Sequence, residues 1–133
     1  NKPIKIFNNG EMIRNFTYID DIDESIIRVI QKPPKKDNST SLENHKPDNS
    51  WAPYRIFNIG NSNPTQLMNF ISSLEKKLGK KAIKQYLPIQ PGDVPITESD
   101  TKSLEKWIDF KPSTSVELGI SKFVEWYKEF YNC

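Results

Sequence analysis

The five glycines, Gly10, Gly60, Gly79, Gly92 and Gly119, lie at least thirteen positions apart, and this spacing restricts the chain more than any other feature. Neither a G-x-G-x-x-G turn nor a P-loop can be written anywhere, so the chain has no Gly-rich loop for a dinucleotide or a triphosphate. The rare residues exclude further classes. Cys133 is the only cysteine and His45 the only histidine, which leaves no ligands for a disulfide scaffold, a Cys/His zinc site or haem attachment. A Cys–His nucleophilic pair would have to join the chain end to a polar loop.

With 133 residues, 35% of them hydrophobic, the chain can build one modest core, so one domain or part of one is expected. Lys and Arg number 19 against 17 Asp and Glu, and a formal net charge of +2 creates no field that would gather nucleic acid or an anionic membrane. An anionic ligand must instead be held by particular residues. The sequence has no long apolar run and no charged-then-apolar leader, so a cytoplasmic location with no membrane partner is expected. It opens at Asn1-Lys2-Pro3 without an initiating Met and reads as a piece of something larger.

Ile4–Phe7 alternates apolar and polar residues, and Phe16–Ile19 is aromatic and β-branched, so both read as strands about the turn signal Asn8-Asn9-Gly10. Asp20 and Asp21 read as N-caps of a helix carrying Ile22, Ile26, Val29 and Ile30 at helical spacing. Residues 32–52 form a polar surface insert in which Leu42 is the only aliphatic side chain before Ser50. Tyr54–Ile59 reads as a strand. Asn63 and Pro64 then read as N-cap and first position of a helix whose stripe, Leu67, Phe70, Ile71, Leu74 and Leu78, stops at Gly79. Ala82–Leu87 predicts a strand, Pro88–Pro95 an irregular loop, and Asp100 a cap for a short helix with Leu104, Trp107 and Ile108. The capping box Thr114-x-x-Glu117 precedes a last helix carrying Val116, Ile120, Phe123, Tyr127 and Phe130. The order β-β-α-β-α-β-α-α is mixed α/β.

Taken singly, the chemistry-bearing residues have ordinary explanations. Arg14 could fork onto a phosphate, or be an exposed Arg at a strand end. Asp20, Asp21, Asp23 and Glu24 are read as caps favoured by the helix dipole rather than as a cation site. Lys76, Lys77, Lys80, Lys81 and Lys84 are read as a solvated helix end, since no aromatic residues alternate with them as base stacking requires. The loop Gln90–Pro95 could reach a ligand's hydroxyls or phosphates, or serve only as a rigid turn.

Read in order, Arg14-Asn15-Phe16-Thr17-Tyr18-Ile19-Asp20-Asp21-Ile22, Tyr54-Arg55-Ile56-Phe57-Asn58-Ile59-Gly60-Asn61-Ser62 and Gln90-Pro91-Gly92-Asp93-Val94-Pro95 carry more. This series resembles the C-terminal part of the nucleotide-sugar epimerases and dehydratases of the extended short-chain dehydrogenase/reductase family, most closely the bacterial UDP-glucuronate 4-epimerases. The resemblance implies an α/β, Rossmann-like fold lacking its NAD-binding N-terminal domain, with residues 1–133 as one substrate-binding segment. It implies that backbone near Lys5 and Phe7 faces the uracil, that Arg14 meets the diphosphate with Phe16 beside it, and that Gln90 and Asp93 contact diphosphate and ribose. Many relatives have Asp at the position of Asn15 and Arg at that of Gln90, so a neutral Gln90 leaves Arg14 as the main cation at the diphosphate.

Family chemistry is oxidation of the sugar at C4 by NAD, rotation of the 4-keto intermediate and hydride return, with a Tyr base lowered by a Lys four residues later. Four residues after Tyr18, Tyr54, Tyr86 and Tyr127 stand Ile22, Asn58, Gln90 and Tyr131, so no Tyr-x-x-x-Lys lies in this chain. The resemblance therefore implies a UDP-sugar-binding fragment with no catalytic residue, no NAD site and no metal site of its own. Such a fragment, cut from its Rossmann strands, is expected to self-associate through exposed edges. The other reading is a stand-alone binding module that has kept only the fold.

Overall fold

The computed structural model describes residues 2–36 and 47–133. Four short strands, β1 (Ile4–Ile6), β2 (Ile13–Arg14), β3 (Thr65–Gln66) and β4 (Lys84–Tyr86), and four helices, α1 (Ile19–Gln31), α2 (Leu67–Leu78), α3 (Lys102–Ile108) and α4 (Val116–Tyr131), follow one another in the α/β order expected. The strands do not form one sheet among the described residues. β1 pairs with β4 in parallel, Ile4 to Lys84 and Ile6 to Tyr86, while β2 pairs with β3 antiparallel, Ile13 to Gln66 and Arg14 to Thr65.

The other edge of β2 is covered by the segment that follows β4. The Ile13 N–H donates to the Pro95 carbonyl at 2.9 Å and the Thr97 N–H to the Ile13 carbonyl at 3.2 Å, so Ile13 is clamped between two segments remote in sequence. That clamp brings the Gln90–Pro95 loop beside Arg14. Between β1 and β2 the chain reverses at Phe7–Gly10, where Asn8 and Asn9 take left-handed conformations at φ 50° and Gly10 at φ 86°. A Cβ at Gly10 would meet the Met68 sulfur at 2.8 Å, so this position has both a conformational and a steric reason to be glycine.

The buried apolar residues are few: Ile6, Met12, Ile71, Leu104, Ile108, Ile120 and Val124. The C-terminal ends of α1 and α3 are tied to each other: Arg28 Nη1 donates to the Asp109 carbonyl at 3.2 Å, Lys32 Nζ to the Trp107 carbonyl at 2.6 Å, and Trp107 Nε1 back to the Lys32 carbonyl at 2.9 Å. Cations on final carbonyls are favoured by the helix dipole as well as by hydrogen bonding.

Several expected boundaries move, each for a tertiary reason. Phe16–Ile19 is not a strand, because α1 begins at Ile19 with Tyr18 as its N-cap and the pairing residues are Ile13 and Arg14. Among the described residues Tyr54–Ile59 forms no strand: Arg55 bridges Asn49 and the Ile56 N–H donates to the Asp48 carbonyl at 2.9 Å, and the pairing goes no further. Asn63 and Pro64 do not open α2, because Thr65 and Gln66 are taken up by β2, and the helix starts at Leu67. It does end at Gly79, left-handed at φ 68°. Asp100 accepts from the Lys102 N–H at 3.1 Å, although Thr101 holds the N-cap position of α3. Of the polar insert at 32–52, residues 37–46 lie outside the described residues, and with them Leu42 and His45.

Glu75, buried on α2, is the hub of the link from α2 to β4: Lys84 Nζ and the Ala82 N–H, at 2.8 Å, both donate to its Oε1. The Lys84 hydrogen bond first, and the Ala82 N–H second, hold the Glu75 carboxyl below its ordinary range. A carboxyl lowered in the folded state adds stability that is fully present above its unfolded value of about 4.3 and is lost as pH falls through the lower folded value. The wild type is therefore expected to melt above Glu75→Gln at pH 7, with the gap closing on acidification below about pH 4. A gap constant down to pH 2.5 in thermal melts would show that Glu75 acts by shape alone.

Candidate functional site

Two segments meet at the candidate anion site: β2 and the turn after β4. Arg14 Nη2 donates to Asp93 Oδ1 at 2.9 Å, across 79 positions of sequence. Its Nη1 donates to the Ile13 carbonyl at 2.9 Å and the Pro95 carbonyl at 3.1 Å. Asp93 Oδ1 also accepts from the Val94 N–H at 2.9 Å, and the Asp93 N–H closes a turn onto the Gln90 carbonyl at 3.1 Å. Gly92 occupies that turn at φ 83°. The Arg14 and Asp93 side chains remain 25% and 34% exposed, so the pair is open to a ligand and adds only about 0–1 kcal/mol to stability.

Of the sequence-predicted residues, Arg14 and Asp93 are therefore in contact and Gln90 is linked to Asp93 through its backbone. Phe16 stacks on Phe70 with ring centroids 4.1 Å apart and planes at 13°. It lines an apolar cavity of about 450 Å³ with Tyr18, Phe70, Leu74, Val116 and Phe123. Lys5, exposed, and Phe7, half-buried, stand on and just after β1, in the other two-stranded sheet. Their neighbours Ile6 and Asn9 are bonded to Leu87, ahead of Gln90 in the chain: the Leu87 N–H donates to the Ile6 carbonyl at 2.8 Å and the Asn9 N–H to the Leu87 carbonyl at 3.1 Å.

Behind this site lies a polar knot that the periodicities do not reveal. Thr17 Oγ1 accepts the Asn61 N–H at 3.0 Å, buried Asn61 donates through Nδ2 to the Thr114 carbonyl at 2.9 Å, and Thr114 donates from both N–H and Oγ1 to the Asp21 carboxylate at 2.9 Å. Asp21 is thus a tether between α1 and the start of α4 and not an N-cap, as the sequence suggested. Thr114 is drawn away from capping, and Ser115 Oγ instead accepts from the Leu118 N–H. Asn15 Oδ1 is buried with no hydrogen-bond partner in the structure.

The residues present do not fit NAD. A pyrophosphate needs a glycine-rich turn feeding a helix N-terminus. Among the described residues the four helices are entered through Tyr18, Gln66, Thr101 and Ser115. Gly60 and Gly119 are closely faced by Ser99 and Tyr18 side chains at 3.2 and 3.1 Å. Among the described residues no helix is long and apolar enough to cross a membrane.

No family model matches the chain. Protein CapI of Staphylococcus aureus is 46% identical over 130 residues, 98% of this chain and 39% of that protein. A probable UDP-glucuronate 4-epimerase of Rhizobium meliloti is 45% identical over 131 residues, again 98% of this chain and 38% of its own length. Among solved structures, a UDP-glucuronic acid 4-epimerase of Bacillus cereus in complex with UDP-glucuronic acid and NAD superposes with a TM-score of 0.72 at 28% identity, over 98% of this chain and 36% of that one. The chain spans well under half the length of the curated relatives it matches. Its fold is that of the C-terminal part of the NAD-binding nucleotide-sugar epimerases of the short-chain dehydrogenase/reductase class. Within that class it is homologous, along nearly all its length, to proteins named UDP-glucuronate 4-epimerase.

Proposed function

We propose that residues 1–133 form the UDP-sugar-binding segment of an NAD-dependent 4-epimerase that interconverts UDP-glucuronate and UDP-galacturonate. The observation that carries this reading is the meeting of Arg14 and Asp93, from distant parts of the chain, at an open site. These are the residues that the family resemblance assigns to diphosphate and ribose. Phe16 offers an aromatic wall beside them, Gln90 a neutral donor and acceptor, and the strand around Lys5 and Phe7 a backbone edge for the uracil. No chemical step is assigned to this chain; its contribution is to bind and orient the nucleotide end.

NAD and the catalytic pair belong, in this proposal, to a preceding Rossmann domain, which is also the partner for the α1 face that exposes Ile19, Ile26, Ile27 and Ile30. With that face bare, the chain alone is expected to self-associate. The test compares the full-length protein with residues 1–133 alone, each given UDP-glucuronate and NAD. Conversion to UDP-galacturonate by the full-length protein, with none above a blank and a sedimenting oligomer for the chain alone, is the expected result. Product from the chain alone, or no product from the full-length protein, would overturn the proposal.

A further inference from the structure

A guanidinium has five N–H donors in a planar fork. Three of those of Arg14 are engaged within the chain: both on Nη1, by the Ile13 and Pro95 carbonyls, and one on Nη2, by Asp93 Oδ1. What is left is the Nε–H and the second Nη2–H. Two of these acceptors, the Ile13 and Pro95 carbonyls, lie on the chain's own clamp, where the Pro95 carbonyl also accepts the Ile13 N–H and the Ile13 carbonyl the Thr97 N–H. Asp93 is itself fixed by the Val94 N–H at 2.9 Å and by its turn onto Gln90.

We propose that Asp93 is a positioning residue for Arg14, holding the guanidinium against the Ile13–Pro95 clamp so that its Nε–H and remaining Nη2–H form the port for the anion. This deepens the proposed function and rests on it. In this arrangement Asp93 acts on the diphosphate through Arg14, in addition to any ribose contact implied by the family. The two carbonyls hold the planar guanidinium at Nη1 alone; Asp93 on Nη2 is a second fixed point that removes the tilt the χ angles behind it still allow. Side-chain freedom of this size is costly to freeze at the moment of binding, so freezing it beforehand favours the ligand.

A second consequence separates this role from simple charge. Asp93 is an anion next to an anion's site, and by Coulomb's law alone its removal should tighten binding of a diphosphate. Positioning demands the opposite sign. Asp93→Ala should weaken binding, and Asp93→Asn, whose amide oxygen can still accept from Nη2, should restore most of it.

The experiment is a double-mutant cycle on the full-length protein loaded with NAD, with UDP as the probe and affinity measured calorimetrically. Asp93→Ala is expected to raise the UDP dissociation constant about three- to tenfold. Asp93→Asn should stay within about twofold of wild type. In an Arg14→Ala background, Asp93→Ala should change little further, because the residue through which it acts is gone. Thermal melts of wild type and all four variants should stay close, which a merely structural role would not allow. Tighter UDP binding by Asp93→Ala, or more than half of its loss surviving in the Arg14→Ala background, overturns the positioning role while leaving the diphosphate site standing. Arg14→Ala binding UDP as well as wild type overturns the site and this inference with it.

Discussion

Arg14→Ala in the full-length protein is expected to raise the dissociation constant for UDP-glucuronate ten- to a hundredfold, with the protein still folded. A charge-assisted contact to a diphosphate contributes about 1.5–3 kcal/mol, and about 1.4 kcal/mol corresponds to each factor of ten. One local fact pushes the result toward the upper end: Gln90 is neutral and supplies no replacement cation. Stability should hardly change, because the ion pair is partly exposed on both sides. Lys should recover part of the affinity: an ammonium keeps the charge but cannot hold two carbonyls, a carboxylate and a ligand in one plane. NAD affinity should hardly move, since the sequence has no glycine-rich turn for its pyrophosphate. Titration of the variant with UDP-glucuronate and NAD in turn checks both halves; wild-type affinity for the sugar nucleotide in a folded variant sinks the assignment.

Local signals gave some elements accurately and left others open. Gly79 stops α2 because a left-handed residue at a helix end is a backbone requirement, written in a single residue. α1, α3 and α4 are also where periodicity and polar starts put them, to within a few residues. Periodicity reports that a helix has an apolar stripe without saying what covers it. On α4 the buried residues are Ile120 and Val124, whereas Phe123, Tyr127 and Phe130 of the expected stripe are exposed. Composition fails differently at Tyr54–Ile59, where four strand-favouring residues, Tyr54, Ile56, Phe57 and Ile59, meet only a single bridge and one further backbone bond to Asn49 and Asp48; β propensity needs a ladder to become a strand. Conversely Thr65 and Gln66, with no strand signal, become β3 because Ile13 and Arg14 present an edge to them.

The site divides in the same way. Arg14, read alone, is indistinguishable from any strand-end arginine, and the resemblance of three ordered motifs was needed to bring it and Asp93 to one place. Their contact, across 79 positions, rests on the Ile13–Pro95 clamp, which no window of sequence contains. Asn61 and Thr114 carried no functional or structural signal beyond membership of a motif or a capping box. Their roles exist only once Asp21 is turned toward them.

Asp21 is where that difference becomes largest in energy. As a helix cap or dipole partner it would contribute about 0.5–1 kcal/mol, and Asp21→Ala would be mild. In the structure its carboxylate instead receives the Thr114 N–H and Oγ1, each at 2.9 Å, with only 9% of the residue exposed. Hydrogen bonds to a charged group contribute about 1.5–3 kcal/mol each before allowance for coupling between them, and a donor left buried without a partner adds its own desolvation cost. The expected loss for Asp21→Ala is therefore about 3–5 kcal/mol, at the far end of single substitutions and a large share of the stability of a small core. The damage should spread along the knot, because the Thr114 segment that Asn61 Nδ2 holds at 2.9 Å is no longer fixed from the α1 side. Asp21→Asn keeps one acceptor oxygen but presents an amide N–H₂ to a donor, and should lose about half as much. Denaturant unfolding of both variants in the full-length protein measures this directly. A loss below about 1 kcal/mol for Asp21→Ala would return the residue to the role of a cap.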